Sequence, residues 1–248
     1  MKEIEKEGKN APPGSDLLLD WNGARPPEST ELKGRYVRLQ PLDAERDSEA
    51  LWRAFAQDAD GKDWTWLPYG PFEDPDAFHR WLSGLQGQQD PLFMTLRSTQ
   101  AGAGLGLGMA AWMRCQPAQG VIEIGHIHLA PALQRSRAAT EALYLMMRRV
   151  FDDWGYRRLE WKCDALNAPS RRAAERLGFR FEGIFRQHLV VKGRNRDTAW
   201  YSVIDREWPQ LRLAFGQWLD EANFDDKGHQ KRSLVAMRAA LENNRKTP

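Results

Sequence analysis

Cysteine is scarce in this chain. Cys115 and Cys163 are the two among 248 residues, and neither belongs to a C-x-x-C pair. That excludes a disulfide framework and a cysteine-based zinc knuckle, and makes a reducing cytoplasm the expected setting. Long apolar runs are missing as well. Nothing approaches the roughly 20 residues that span a bilayer, and the opening "MKEIEKEGKN" has no apolar stretch of the kind a secretory signal carries. A membrane partner is not expected. Nor is one charge in excess: 36 Lys and Arg face 34 Asp and Glu, for a formal net charge of +2. The basic stretches "RRAAER" and the C-terminal tail match no recognition motif, so a nucleic-acid partner is not expected either. No internal repeat is visible.

What is present suits one packed domain with extensions: 42% of the residues are hydrophobic. Residues 1–31 are polar and rich in Pro and Gly and read as a flexible lead-in. Within it, "DLLLDW" (16–21) is a local hydrophobic anchor. Residues 32–209 carry the alternation of strands and helices, and 210–248 read as a helical extension ending in a polar tail. "DLLLDW" and this extension are candidate homodimer contacts.

"RYVRLQPLD" (35–43) alternates as a strand. Residues 43–57 and 73–86 have helical spacing, the second with Asp74 and Pro75 as a start signal. "PLFMTLRS" and "GLGLGMAAWMR" are two strands, with the glycines at 102, 104, 106 and 108 marking a turn and close backbone approach. "GVIEIGHIHLA" (120–130) is a strand. A helix from 137 to 154 follows, with Ala139, Leu143, Met146, Val150 and Trp154 on its core face. A strand (155–163), a helix (167–179), a long hairpin turning at Lys192–Asn195, and a helix from 206 to 222 complete the pattern. "KRSLVAMRAALENN" is one further possible helix. The unit strand–helix–strand over 120–163 has the length of a parallel crossover. The expected class is α/β (α+β), a mixed sheet with helices on both faces.

Four stretches carry the chemistry. "QRSRAATEA" (134–142) leaves a strand edge and opens a helix, where backbone N–H groups lack intrahelical partners and the dipole favours an anion. The other reading is a basic, solvated helix start, which the dipole disfavours because cations prefer the opposite end. In "IEIGHIHLA", regular alternation puts Glu123, Gly125, Ile127 and Leu129 on one face and Ile122, Ile124, His126 and His128 on the other. The two histidines lack a third metal ligand, so core or surface histidines are the better reading and no metal is expected. In "NAPSRRAAERLGF" (167–179), Asn167 is a good helix N-cap. "DWTWLPYGPFED" (63–74) gathers Trp64, Trp66, Tyr69 and Phe72, either as an apolar lid over the sheet or as a wall for a substrate.

Together with "FRFEGIFRQ", the order and spacing of "IEIGHIHLAP", "QRSRAATEAL" and "NAPSRRAAERLGF" resemble the Gcn5-related N-acetyltransferase (GNAT) superfamily over residues 32 to 209, and within it the RimJ/RimL-type branch. The resemblance implies a mostly antiparallel twisted sheet and direct acetyl transfer from acetyl-CoA to an amine. It implies that Gln134, Arg135, Arg137, Ala138, Ala139 and Thr140 hold the coenzyme's pyrophosphate, with Arg137 standing where the pattern has its middle Gly. An ordinary helical backbone is expected at Arg137. Ile127 and Leu129 would pair with the pantetheine arm, and Asn167 and Arg172 would contact the coenzyme near its thiol. Glu123 becomes the candidate base. The Tyr that acts as acid in many members is replaced by Ala174, leaving Ser170 as the candidate acid. A Glu used as base by RimL-like members falls at Leu189, beside His188, which joins Trp64, Trp66, Tyr69 and Phe72 as a candidate acceptor contact. A non-catalytic acyl-CoA-binding module is the other function compatible with these departures. Weak acid–base machinery favours a low-pKa amine: an α-amine ionises at about 7.7–8.0, a lysine at about 10.4.

Overall fold

A computed structural model describes residue 18 and residues 20–99 and 106–244. Its centre is one eight-stranded sheet in the order β1-β2-β3-β4-β5-β6-β8-β7. The strands are β1 (Leu32–Lys33), β2 (Val37–Pro41), β3 (Leu92–Ser98), β4 (Gly106–Gln116), β5 (Val121–Leu129), β6 (Arg158–Asp164), β7 (Arg180–Val191) and β8 (Arg194–Ile204). Every pairing is antiparallel except β5 with β6. That parallel pair needs a crossover, supplied by α3 (Arg137–Arg148) and the wider π-turn over Arg149–Asp153. The mixed, mostly antiparallel sheet expected from the sequence is therefore present. β1 adds a two-residue strand to the expected order, and Gly102 and Gly104 lie outside the described residues.

Helices cover both faces. On one, α3, α4 (Ala168–Leu177), α5 (Trp208–Leu219) and α6 (Leu234–Asn244) bury Met146, Leu177, Phe215 and Met237 against Trp112, Ile122, Leu159 and Tyr201. On the other, α1 (Ala44–Phe55) and α2 (Pro75–Leu85) bury Leu51, Phe55, Phe78 and Leu82 against Phe93, Met109 and Ala111. The Asp74 carboxylate caps α2 by accepting from the Ala77 N–H, with Pro75 in the first turn. The expected boundary between residues 209 and 210 falls inside α5, and Leu234 and Met237 of the C-terminal segment belong to the core.

Two buried carboxylates fix the frame. Glu141 on α3 accepts from the N–H groups of Arg35, Tyr36 and Val37 at 2.9, 2.6 and 3.0 Å, tying the β1–β2 turn to the helix. The Gly34 backbone packs so closely on that carboxylate that an added Cβ would overlap it. Asp47 on α1 is fully buried and accepts from Arg46, Thr95 and the Asp43 N–H. Burial alone would raise its pKa; hydrogen bonds from Arg46, Thr95 and Asp43, with the charge of Arg97, outweigh it and hold the carboxyl below the usual range.

Near the start of the described chain, the Trp21 indole donates to the Ala118 carbonyl at 2.8 Å, and Arg157 stacks over its ring. The tryptophan of "DLLLDW" thus docks on the domain itself. Asp16, Leu17 and Leu19 lie outside the described residues. No described helix is long and apolar enough to cross a membrane.

Candidate functional site

The site begins where two strands part. β5 and β6 pair through Val121–Arg158, Ile122–Leu159 and Glu123–Glu160, and no pair between them follows among the described residues. From Ile124 onward, the β5 backbone groups that would continue this ladder are left without a strand partner. On the opposite edge, the β4–β5 register slips between Met109–His128 and Ala111–Gly125, so β5 carries one residue in excess there. His126 sits at this bulge with φ 50°.

The bulge overturns the regular alternation expected for β5. Ile122 and Ile124 face the α3 side, and so do Ile127 and Leu129 beyond the bulge. Gly125 pairs with Ala111, a residue of the α1–α2 core, and its missing Cβ would meet the Met113 sulfur. His126 and His128 follow on that face, with Glu123 and Gly125 rather than with Ile122 and Ile124. Gly125 and His126 are neighbours on one face because the left-handed residue adds an extra half-step. Sequence alternation has no means of anticipating this.

Both histidines are held neutral. His128 is stacked 3.9 Å from Phe55 and set edge-on 4.0 Å from Trp64. Burial pushes its pKa down to about 4. His126 lies 3.0 Å from the Tyr69 hydroxyl through Nδ1, and burial together with the charge of Arg114 lowers it to about 4 as well. Among the described residues, no group of three or more His, Cys, Asp or Glu is arranged to hold a metal ion.

The turn before α3 forms the second wall. Ser136 is the N-cap, its Oγ accepting from the Ala139 N–H at 3.0 Å. Arg137 opens the helix with helical backbone, as expected; the left-handed residue is Arg135, at φ 57°. Gln134 donates to the Leu129 carbonyl at 3.0 Å and to Asp63 at 2.7 Å, joining the turn to β5 and to the loop after α1. Ala138, Ala139 and Thr140 are buried, and Thr140 Oγ1 accepts from Arg176. The Arg137 guanidinium donates to the Tyr36 hydroxyl at 2.9 Å and lies 3.3 Å from the Phe224 ring centroid.

Across the gap stands α4. Asn167 caps it by accepting from the Ser170 N–H at 3.1 Å. Ser170 Oγ accepts from the Trp161 indole at 3.0 Å, and the same side chain is hydrogen-bonded to the Cys163 thiol. Arg172 is exposed, and Ala174, where a Tyr would stand in many relatives, is fully buried.

Glu123 is 3% exposed and belongs to a line of charges that short-range motif reading passed over. Its Oε2 takes Arg114 at 2.6 Å and Lys162 at 2.8 Å. Lys162 also pairs with Glu160 at 2.7 Å, Glu160 with Arg158 at 2.7 Å, and Arg158 reaches Glu182. Hydrogen bonds from Arg158 hold the Glu182 carboxyl below its ordinary range, and that pairing raises the Arg158 guanidinium in turn. Arg158, Glu160 and Lys162 alternate along "RLEWKCD", so this row could have been read as the polar face of β6. Oε1 of Glu123 has no partner among the described residues and would stand 3.4 Å from a Cβ at Gly125.

The aromatic loop closes the α1–α2 side. Trp64 is 5% exposed and packs edge-on against Phe55, Phe72 and Phe78, so it supports the lid from within. Tyr69 and Phe72 lie over Trp81 at 4.5 and 4.8 Å, and Trp66 is half-buried. Burial pushes the pKa of the Tyr69 hydroxyl up. The β7–β8 hairpin turns at Lys192 and Gly193, both left-handed, and Lys192 donates to the Trp64 carbonyl at 2.9 Å. Arg194 and Asn195, expected in the turn, pair with Val191 and Val190 instead. His188 sits in a β7 irregularity and lies 2.9 Å from Thr198 Oγ1 through Nδ1. The structure therefore brings Tyr69, His126 and the hairpin arm to one side of β5, with Ser170 on the far side of the gap between β5 and β6.

This architecture is that of an acetyltransferase. The Acetyltransferase (GNAT) domain family matches residues 37–180, and the chain belongs to that family. A crystal structure of a GCN5-related N-acetyltransferase from Brucella melitensis is 49% identical, with a TM-score of 0.87, and the match covers 90% of this chain and 100% of that one. YdaF of Bacillus subtilis (strain 168), provisionally named a ribosomal N-acetyltransferase, is 27% identical over 173 residues, 68% of this chain and 90% of its own length. RimJ of Mycobacterium smegmatis, solved in complex with CoA-disulfide, shares the fold at 23% identity and a TM-score of 0.61, over 73% of this chain and 89% of its own. These relatives agree with the RimJ/RimL-like branch.

Proposed function

We propose that this chain transfers an acetyl group from acetyl-CoA directly to a primary amine, the α-amine of a protein N-terminus or a small-molecule amine, with both substrates bound together. The observation that carries this reading is the parting of β5 from β6 beyond Glu123 beside the N-terminus of α3. The free β5 edge suits an extended amide-bearing arm added as a further strand. The first turn of α3, with Gln134 to Thr140 around it, suits the pyrophosphate. That the protein to which RimJ's name belongs binds CoA-disulfide supports the same use of the fold.

In this reading Ile127 and Leu129 flank the arm, and backbone N–H groups near the bulge face the oxygen on which negative charge develops. Holding donor and amine in contact supplies a large share of the rate enhancement. Glu123 takes the amine's proton through a water molecule at Oε1, while Arg114 and Lys162 fix Oε2. Ser170, fixed by Trp161, turns its hydroxyl proton from the Cys163 thiol toward the leaving sulfur, in place of the Tyr that Ala174 replaces. Asn167 and Arg172 border the thiol end. Trp66, Tyr69, Phe72 and His188 border the acceptor, with Trp64 behind them.

The second reading, an acyl-CoA-binding module without turnover, is favoured by the buried Ala174 at the Tyr position. Thiol release from acetyl-CoA over a panel of N-terminal peptides and small amines, run beside direct coenzyme binding, separates the two. Transfer predicts acetylated amine in step with thiol; binding with no product on any amine supports the module.

A further inference from the structure

The C-terminal segment lies beyond the residues that the family matches, yet it reaches the phosphate turn. The centroid of the Phe224 ring, just past α5, lies 3.3 Å from the Arg137 guanidinium, which also meets Tyr36: ring centroid at 4.7 Å, hydroxyl at 2.9 Å. Trp218 at the end of α5 does the same for Arg176, which stacks at 5.1 Å and donates to Thr140 in the first turns of α3. The two aromatic rings meet edge-on at 5.2 Å. Neither arginine has a carboxylate partner among the described residues, whereas Arg158, Arg114 and Arg46 all do.

A guanidinium stacked on an aromatic face keeps its edge donors for a planar or tetrahedral anion and has already lost much of its rotamer freedom. Arg137 spends one donor on Tyr36. The remaining donors sit at the first residue of α3, beside the backbone N–H groups that the same turn presents. A phosphate arriving there meets a charge already in place, and the ordering cost does not fall on the binding step.

We infer that Phe224 is a positioning residue for coenzyme binding, acting through Arg137: the C-terminal segment holds this guanidinium ready for a phosphate group of the coenzyme. The inference rests on the proposed use of the α3 turn as the phosphate site. Phe224 touches no reacting atom.

The test is calorimetric binding of CoA and of 3′-dephospho-CoA to the full chain. Phe224→Leu keeps apolar volume against Trp218 and removes the aromatic face; Phe224→Tyr keeps the face. We expect Phe224→Leu to weaken CoA binding about 3- to 10-fold, in the range of a partly desolvated cation–π contact, and Phe224→Tyr to restore it. Arg137→Ala should weaken binding at least as much, and Phe224→Leu should add nothing in that background, because the two act as one unit. Equal loss for CoA and 3′-dephospho-CoA assigns the effect to the pyrophosphate; a loss confined to CoA assigns it to the 3′-phosphate. Wild-type affinity in Phe224→Leu, or the same loss with Arg137 already removed, overturns the inference and leaves the phosphate site standing. Absence of CoA binding by the wild-type chain would instead overturn the phosphate site itself, and the inference with it.

Discussion

The Tyr69 hydroxyl and Nδ1 of His126 lie 3.0 Å apart, joining the loop after α1 to the bulge of β5. Through this contact the proposed acceptor side is tied to the strand that parts from β6. His126 can be left-handed here because the bulge, not a ladder, sets its backbone. Tyr69→Phe should lower stability by about 1 kcal/mol, the net worth of a typical hydrogen bond. It should also speed proteolysis within residues 58–72. Denaturant unfolding and limited proteolysis check this; an unchanged cleavage rate would mean that the loop is held without His126.

Gly34 and Glu141 form a second dependent pair. An added Cβ would displace the carboxylate from three backbone N–H groups. An unpaired buried polar group costs about 1–3 kcal/mol. Gly34→Ala should therefore destabilise by more than 2 kcal/mol, measured as a fall in the urea midpoint at constant slope. A loss under about 0.5 kcal/mol would show that the turn relaxes around the methyl group.

The neutral histidines predict a pH window. The folded pKa values of His126 and His128 are about 4, against about 6.5 in an unfolded chain. Between these values the unfolded state binds the proton and the folded state does not. Stability is then complete above about pH 6.5 and falls as the pH drops toward 4, by up to about 1.4 kcal/mol per pH unit for each histidine. His128→Phe should flatten this slope in thermal unfolding measured from pH 7.5 to 4.5. An equal slope in wild type and variant would count against a buried neutral His128.

Proton transfer gives a kinetic prediction. If Glu123 accepts the amine's proton, Glu123→Gln should slow acetylation more at pH 6.5 than at pH 9, because an α-amine is largely neutral above its pKa of about 8. Equal slowing at both values would assign Glu123 to holding Arg114 and Lys162. Ser170→Ala should lower kcat about 100-fold or more, as loss of a positioned acid does, with the KM for acetyl-CoA little changed.

Element order, the parallel crossover and the turn that opens α3 were legible because each has a local signature. The helix over 137–148 has its periodicity and Ser136 cap, the strand over 121–129 its branched residues, and α4 its Asn cap and Gly178 stop. The bulge at His126 was not legible, since nothing in "IEIGHIHLA" distinguishes a regular strand from one with an extra residue. The Glu123–Lys162–Glu160 row depends on a register between strands separated by a helix. The stacking of Phe224 on Arg137 joins residues 87 apart in sequence, and no periodic signal carries such a contact.

Amide hydrogen exchange with and without acetyl-CoA tests the central claim most directly, because the coenzyme is proposed to be held largely by backbone groups. Protection should rise on peptides covering Ile124–Leu129 and Arg135–Thr140, with smaller changes over Asn167–Ala174. Binding without protection of the β5 edge and the α3 turn would contradict the account.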